Sequence, residues 1–457
     1  MSVRKRVLMA ACAALAAWPA AAVGQAARDG FRVPVEYHRL PNGLRVVLSP
    51  DHTAPVATVA VYYNIGFRIE PRNRTGFAHL FEHMMFQGSQ NLGKNEFIGL
   101  VQSNGGILNG STRFDFTNYF EIVPAHTLET MLWAEADRMR GLQIDSSNLR
   151  NQQEVVKNEV RVNVLNAPYG GFPGLDMPQH ANRNWYNSHN FYGDLADLDS
   201  ASLADVRDFF HTFYAPNNAA LVVVGDFEPA QAMTWIRQYY GDIERRDVPA
   251  VPDLTEPEQT EPRQASKTDA RANRPALAFA YHMPERNTPE YYAMGLIDQI
   301  LLQGNDARLR EALVQRAGLT GGVSGGINLL GNMFNYNGPM LWTVSLFHDS
   351  TATPERILAS ADSVIADLSA RPVDAATLER ARVKMRSSLY DVLGGFFGFG
   401  RADLLAAFAL FDDNPARIND LESEFMKVTP QMIQQTAQRY LRPTNRTVLT
   451  IIPGAAR

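Results

Sequence analysis

Two histidines and a glutamate fall on one face of a predicted helix in the first fifth of the chain. They are His79, Glu82 and His83, and residues three and four apart lie above one another on a helix. Neutral imidazoles suit zinc, a catalytic zinc keeps one position open for water, and a carboxylate beside that water can take its proton. With 10 histidines among 457 residues, this spacing is rare by chance. The pattern predicts a zinc hydrolase site, against the alternative of two surface histidines on an amphipathic helix.

The first residues have the pattern of an export signal. Three basic residues at 4–6 precede an alanine-rich apolar run at 7–23, and small residues follow this run. A membrane anchor is the alternative, but the run is short and contains Pro19. We therefore interpret residues 1–26 as a cleaved signal peptide.

The single cysteine, Cys12, lies inside this apolar run. Most of the run follows it, whereas a cysteine that receives a lipid comes after the apolar stretch, so we do not interpret Cys12 as a lipid anchor. The mature chain then has no cysteine, and zinc would be held by nitrogen and oxygen ligands.

Charge and hydropathy exclude two classes of partner. Removal of residues 1–26 takes three positive charges from a net charge of −5 and leaves −8. This acidic balance argues against nucleic acid and acidic membrane surfaces. No run in the mature chain is long and apolar enough to span a bilayer.

A proline-rich, charged stretch at 247–275 divides the mature chain. Because about 430 residues exceed a single hydrophobic core, we predict more than one domain. The first is an N-terminal zinc domain at 31–246, and 247–275 is a linker. The second is a C-terminal domain without metal at 276–457.

Strand and helix patterns are mixed in both halves, so each half is predicted to be an α/β layer structure within an α+β chain. Predicted strands are 44–48, 56–63, 119–123, 276–281 and 341–346, and predicted helices are 128–142, 149–165, 203–213, 291–302 and 375–393.

One helix-turn-strand joint occurs in both halves. Residues 213–218 lead into a β-branched run at 219–224, and residues 440–445 lead into a similar run at 447–452. The equal offset indicates duplication. Coincidence between two common joints is the alternative.

Beyond the motif, nearly the whole mature chain resembles the pitrilysin and insulysin family of zinc peptidases, whose signature is the His-x-x-Glu-His order. The segments that carry the resemblance are 41–45, 76–89, 105–112, 115–119 and 189–193. The resemblance implies two homologous α/β domains with a mitochondrial processing peptidase-like metallohydrolase fold. In the small-subunit form, such a chain makes half of a clamshell.

The resemblance also implies a third Zn²⁺ ligand on a separate helix, and Glu159 matches its position. Two histidines and a glutamate form a known catalytic set, although a solvated helical glutamate is the alternative. Glu154 lies about 140° away around the same helix, so we assign it only a supporting role. Gln152 stands where related enzymes often carry an acidic residue.

The reaction implied is hydrolysis of a peptide bond, with Glu82 as the base that accepts a proton from water. In the resembling enzymes an edge strand pairs with extended substrate, and its counterpart here contains Leu108, Asn109 and Gly110. An ordinary glycine-containing strand is the alternative. Gly110 replaces the alanine usual in the family.

The second half departs from the family pattern. Self-sufficient relatives carry an arginine and, seven residues later, a tyrosine that grip substrate, and the matching positions hold Val314 and Gly321. Arg308, Arg310 and Arg316 are near but out of register. The chain is also half the length of the single-chain relatives. We therefore expect a heterodimer in which a related, metal-free subunit supplies the Arg/Tyr pair.

Two other classes of function stay open. A non-catalytic assembly or scaffold subunit of the same superfamily would typically have lost the motif. A structural zinc site would typically be closed by a fourth protein ligand, often cysteine. We predict a zinc metalloendopeptidase that cleaves peptides or unfolded segments in a closed chamber, and the export signal indicates a bacterial periplasm.

Overall fold

Two mixed β-sheets, one from each half of the sequence, organise the fold. The structure is a computed structural model that describes residues 32–454, so the predicted signal peptide and Cys12 lie outside the described residues. Both sheets belong to one compact unit that begins at Val35.

The first sheet is built from the strands β1 Glu36–Arg39, β2 Arg45–Pro50, β3 Val56–Tyr63, β4 Ile107–Thr112, β5 Thr117–Pro124 and β6 Ala219–Gly225. The second sheet is built from β7 Arg263–Asp269, β8 Ala276–His282, β9 Ser324–Ile327, β10 Leu341–Phe347 and β11 Arg446–Pro453.

The two sheets share one topology. Their orders are β1-β2-β6-β3-β5-β4 and β7-β11-β8-β10-β9, so the second sheet repeats the first without β1. The parallel pair β2/β6 of the first sheet corresponds to the parallel pair β7/β11 of the second. This agreement supports duplication, because chance similarity of one joint would not extend to a whole strand order.

The helices of the first half are α1 Phe77–Met84, α2 Glu96–Ser103, α3 Leu128–Arg140, α4 Ser146–Val160, α5 Asp176–Ala181, α6 Trp185–Ser188, α7 Leu195–Ser200, α8 Leu203–Phe213 and α9 Pro229–Tyr240. Those of the second half are α10 Pro289–Leu301, α11 Arg308–Arg310, α12 Pro354–Ala370, α13 Ala375–Gly394, α14 Phe399–Phe411, α15 Leu421–Lys427 and α16 Pro430–Tyr440.

Strand β3 packs on both of its faces because side chains alternate along a strand. Val59, Val61 and Tyr63 point into a core formed entirely by residues of the first half. Tyr62 points to the opposite face, and its hydroxyl donates to Asp403 of α14 (2.8 Å). Helix α14 of the second half therefore covers the face of the first sheet that lies away from this core.

The α+β class predicted from the sequence is confirmed, since both halves combine one sheet with several helices. One part of the predicted linker has a different structure, because residues 263–269 form β7. The residues of β7 are mostly polar and are largely exposed, so no apolar pattern in the sequence predicts a strand there. Backbone pairing with β11 determines its conformation instead. The domain boundaries themselves stay predictions.

Within residues 32–454, no single helix is long and apolar enough to cross a membrane. The helical segments Ala375–Gly394 and Phe396–Phe411 are long and apolar enough when taken together, but they are bent by 64°. Most of α14 is buried against the first sheet, as expected for a core helix.

A buried ion pair of the first half is hydrogen-bonded to the second half. Arg68 Nε lies 2.7 Å from Asp115 Oδ1, and both side chains are almost completely buried. The other carboxylate oxygen of Asp115 accepts from the backbone N–H of Asn337 (2.8 Å), in the second half. Arg68 also donates to Asn187 Oδ1 (2.5 Å). Because Arg68, Asp115 and Asn187 are all buried, the partners of these polar groups must be present together.

We expect Asp115→Ala to destabilise the fold by about 3–5 kcal/mol, because it leaves the buried Arg68 charge without its counter-charge. Urea unfolding followed by circular dichroism measures this loss. The control is Asp226→Ala, which removes an exposed partner of His52 and should change stability little. Equal effects of the two substitutions would contradict the assignment.

Candidate metal centre

Helix α1 begins at a buried carboxylate. Glu70 accepts hydrogen bonds from the backbone N–H groups of Gly76 (2.9 Å) and Ala78 (2.6 Å), which a helix leaves without partners at its start. Burial raises the pKa of Glu70 to about 8. The apolar face of α1 fills the first core with Phe77, Leu80, Phe81 and Met84. The opposite face carries the motif.

Three side chains converge on this polar face of α1. Glu159 Oε1 lies 3.6 Å from His79 Nε2, and Glu159 Oε2 lies 3.3 Å from His83 Nε2. One ligand atom of each residue lies within 4.8 Å of the others. The structure therefore brings together the three residues that the sequence predicts as ligands.

The electrostatics of the cluster favour metal ligation. Burial, and then the neighbouring His79, lower the pKa of His83. Contact with His79 is the first cause of a lowered pKa at Glu159. Neutral imidazole and ionised carboxylate are the forms that bind a metal, so two imidazoles and one carboxylate fit Zn²⁺ and leave a fourth position for water.

Helix α4 carries Glu159 to the cluster. Its start is fixed by Asp145, whose carboxylate accepts from the backbone N–H groups of Ser147 and Asn148. Val156 and Val160 are buried in the first core, where α4 packs against α1. Glu159 lies near the end of the helix, fourteen residues after the cap, so the packing of α4 determines its position.

Glu154 is not brought to the cluster. Its side chain is 68 % exposed and pairs with Lys157 Nζ (2.6 Å). Lys157 also contacts Asp199. The supporting role predicted for Glu154 thus has no contact with the candidate ligands, because the helical period turns it away from Glu159.

The predicted base, Glu82, is held by the hydroxyl of Thr112. Thr112 Oγ1 donates to Glu82 Oε2 (2.8 Å) from the last residue of β4. Sequence reasoning did not identify Thr112 as a site residue. The available signal was the strand period of two, which places Thr112 on the same face as Leu108 and Gly110.

The predicted substrate strand, β4, is an edge of the first sheet. Leu108 and Gly110 lie on the α1 face of the sheet, and Asn109 lies on the other face. Asn109 Oδ1 accepts from the backbone N–H of Gly110 (2.9 Å). The side chain of Asn109 therefore engages a backbone donor of the kind that an added strand would use.

Tyr192 is a second neighbour that sequence reasoning missed as a site residue. Its ring meets the His79 ring edge to face, with 6.0 Å between centroids. Burial raises the pKa of Tyr192, and Glu159 and Glu82 raise it further. The signal available was its place in segment 189–193, one of those that carry the family resemblance.

The imidazole nitrogen of His79 that points away from Glu159 has no hydrogen-bond acceptor or donor beside it among the described residues. His79 Nδ1 is buried and has no hydrogen-bond partner among residues 32–454. Gln152 is buried too, but its side-chain amide donates to Asn151 (2.9 Å). Histidine ligands usually donate this second N–H to a protein acceptor, so orientation of His79 depends more on packing here.

The second-half positions carry no substitute for the expected Arg/Tyr pair. Val314 lies in a π-helical turn at Glu311–Arg316, and Gly321 lies in a loop. Two of the nearby arginines have local acidic partners: Arg308 pairs with Asp367 (3.2 Å), and Arg316 lies 3.6 Å from Glu311.

Comparison with protein families gives two matches. Residues 45–168, which contain the candidate ligands, match the family described as insulinase (peptidase family M16). Residues 200–385 match the peptidase M16 inactive domain, and the two matches together span more than half of the chain.

Known proteins give similar results. The zinc protease PqqE of Helicobacter pylori is 24 % identical over 91 % of this chain and 92 % of its own length. An insulin-degrading enzyme homolog of Dictyostelium discoideum is 29 % identical, over 48 % of this chain and 23 % of its own length. The crystal structure of a protease from Helicobacter pylori has a TM-score of 0.82 at 23 % identity, and the match covers 93 % of this chain and 100 % of that protein.

We expect the purified protein to bind one Zn²⁺ and Glu159→Ala to weaken this binding by about 100-fold or more, since loss of a contact behind a ligand already costs 10–100-fold. Isothermal titration with Zn²⁺ measures the affinity. Glu154→Ala is the matched control on the same helix and should bind Zn²⁺ like the wild type. Equal losses in the two variants would exclude the ligand role of Glu159.

Proposed function

Because the chain belongs to the M16 peptidase family, as the sequence resemblance predicted, we propose that it is a zinc metalloendopeptidase. The observation that carries this proposal is the convergence of His79, His83 and Glu159 beside Glu82. The proposed substrates are peptides or unfolded segments of proteins. The proposed location is the bacterial periplasm, on the strength of the export pattern at 1–26.

The chemistry follows from the residues around the cluster. When bound, zinc supplies Lewis acidity, which activates water and polarises a carbonyl group. Glu82 accepts the proton of the attacking water and returns it to the departing amine. Thr112 holds one oxygen of Glu82, which leaves the other free to face the water. A carboxylate that is already oriented by a hydrogen bond loses less conformational entropy on reaching the transition state than a freely rotating one, which lowers the activation barrier.

Substrate would enter as an extended strand along β4. The backbone of an edge strand pairs with peptide of almost any sequence, which suits an enzyme for unfolded segments. Gly110 has no side chain on the α1 face, so a peptide can approach the metal closely there.

We further propose that a related subunit without metal completes the site. Val314 and Gly321 supply neither a cation nor a hydroxyl, and the second half matches a domain described as inactive. A partner would contribute the positive charge and hydrogen-bond donor that stabilise the developing oxyanion.

The test is cleavage of a quenched fluorescent peptide library by the purified mature chain, alone and with its candidate partner. We expect activity only with the partner, and we expect Glu82→Gln to abolish it while zinc content stays near one per chain, because the variant removes the base and keeps the ligands.

Each contrary result has its own meaning. Strong activity of the chain alone would exclude the split site and leave a self-sufficient peptidase. Zinc near one per chain without cleavage under either condition would contradict the peptidase proposal. Absence of zinc would favour a non-catalytic scaffold subunit.

We expect Thr112→Val to lower kcat by about tenfold, because it removes the hydrogen bond that orients the Glu82 carboxylate but keeps the side-chain shape. Zinc affinity should not change. Steady-state kinetics and zinc titration measure the two effects. The control is Ser111→Ala, which removes a hydroxyl on the other face of β4 that donates to Asn118. A Thr112→Val enzyme with normal kcat would exclude this positioning role.

A further inference from the structure

Two adjacent phenylalanines are exposed in the turn between α13 and α14. Phe396 is 56 % exposed and Phe397 is 66 % exposed. Both have a left-handed backbone, with φ of 49° and 52°. Bulky L-residues adopt this conformation rarely and at a cost, and exposed aromatic rings contribute little to folding. The exposed rings and the left-handed backbone add little to the stability of the fold, and exposed apolar side chains that are held in this way often mark a binding site.

This turn crosses the face of the first sheet that lies opposite α1. The backbone carbonyl of Phe397 accepts from the hydroxyl of Thr58 on β3 (3.0 Å). The Phe396 ring lies edge-on to Phe120 of β5, with 6.3 Å between centroids. Phe399 stacks on Phe120 at 3.9 Å and fixes the start of α14 there.

The strand register shows which residue of the edge strand β4 lies on the same face of the sheet as this turn. Thr58 pairs with Ile122 of β5, and Ile122 pairs with Ile107 of β4. Directly paired residues point to the same face, so Ile107 lies on the face that the turn crosses. Ile107 is 44 % exposed. We call Ile107, Phe396 and Phe397 the apolar shelf.

The shelf and the metal centre lie on opposite faces of one strand. Thr112, which contacts Glu82, points to the α1 face, and Ile107 points to the shelf face. The two residues are five apart, which corresponds to about 17 Å along a strand. A peptide paired with β4 would present alternate side chains to each face.

We propose that the apolar shelf binds a large apolar side chain of the extended substrate, about four to six residues from the cleaved bond. This proposal rests on the proposed peptidase function and adds a specificity determinant to it. The backbone of β4 accepts any sequence, so the shelf would supply side-chain selection that the strand lacks.

An extended peptide fits the shelf better than a second folded chain does. A stable interface between folded proteins buries about 1,600 Å² in total, and three partly exposed side chains supply only a fraction of this. The shelf is also continuous with the free edge of β4, where a peptide would already be held by its backbone.

The test uses zinc-loaded Glu82→Gln protein and fluorescein-labelled peptides rich in serine and threonine, with one phenylalanine moved through successive positions. Fluorescence anisotropy gives each Kd. We expect affinity to rise about tenfold at alternate positions, the signature of a strand with one face on the shelf. In F396N/F397N the alternation should disappear, and asparagine tolerates the left-handed backbone.

Ile107→Ser tests the shelf from a separate element and should reduce the same alternation. Val383→Ser is the control, since Val383 is 51 % exposed on α13 and is not part of the shelf. An unchanged profile in both shelf variants, or no peptide binding by Glu82→Gln protein, would overturn the proposal. So would a dimer in sedimentation velocity that the shelf variants abolish, because the shelf would then join two copies.

The two proposals fail in distinguishable ways. Shelf-dependent binding by Glu82→Gln protein, without cleavage by the wild type either alone or with its partner, would contradict the peptidase and keep the shelf. Cleavage by the wild type with no change of sequence preference in F396N/F397N would contradict the shelf and keep the peptidase.

Discussion

The packing of α1 against α4 is the contact on which the candidate site depends. Helix α1 alone can place His79 and His83 one turn apart, but two imidazoles do not make a catalytic zinc site. The third candidate ligand, Glu159, comes from another helix, and the packing of that helix determines whether it reaches the histidines. Apolar residues of both helices share one core, so the energy that orients the ligands is largely the energy that folds the first half.

Sequence patterns predicted elements well where their signal was local. The strand at 56–63 and the helix at 203–213 have the predicted bounds. The strand is a nearly continuous run of apolar residues, and the helix begins at a capping box, so neighbouring residues define both elements. The cluster of His79, His83 and Glu159 required the family resemblance as well. Thr112 and Tyr192 were missed, since their contacts with Glu82 and His79 join residues distant in sequence.

The second half has the same topology but, among residues 32–454, no candidate metal cluster of its own. Helix α10 follows β8 as α1 follows β3, but it carries no paired histidines. Its buried Asp298 accepts from the indole N–H of Trp342 (2.7 Å) on β10, and burial raises the pKa of Asp298 to about 6. The buried carboxylate on this helix is thus satisfied by a structural hydrogen bond in one copy, whereas in the other the corresponding helix faces Glu159.

The unpaired backbone groups of an open sheet edge can bind a peptide, but they can also pair with the edge strand of another molecule and begin aggregation. On β4 one backbone donor already has an acceptor, because the N–H of Gly110 donates to Asn109 Oδ1. The amide side chain occupies this donor, so the proposed substrate would have to displace it in order to pair there. Any strand that adds to this edge therefore has to replace one hydrogen bond that the folded chain already makes, which lowers the gain from unspecific pairing.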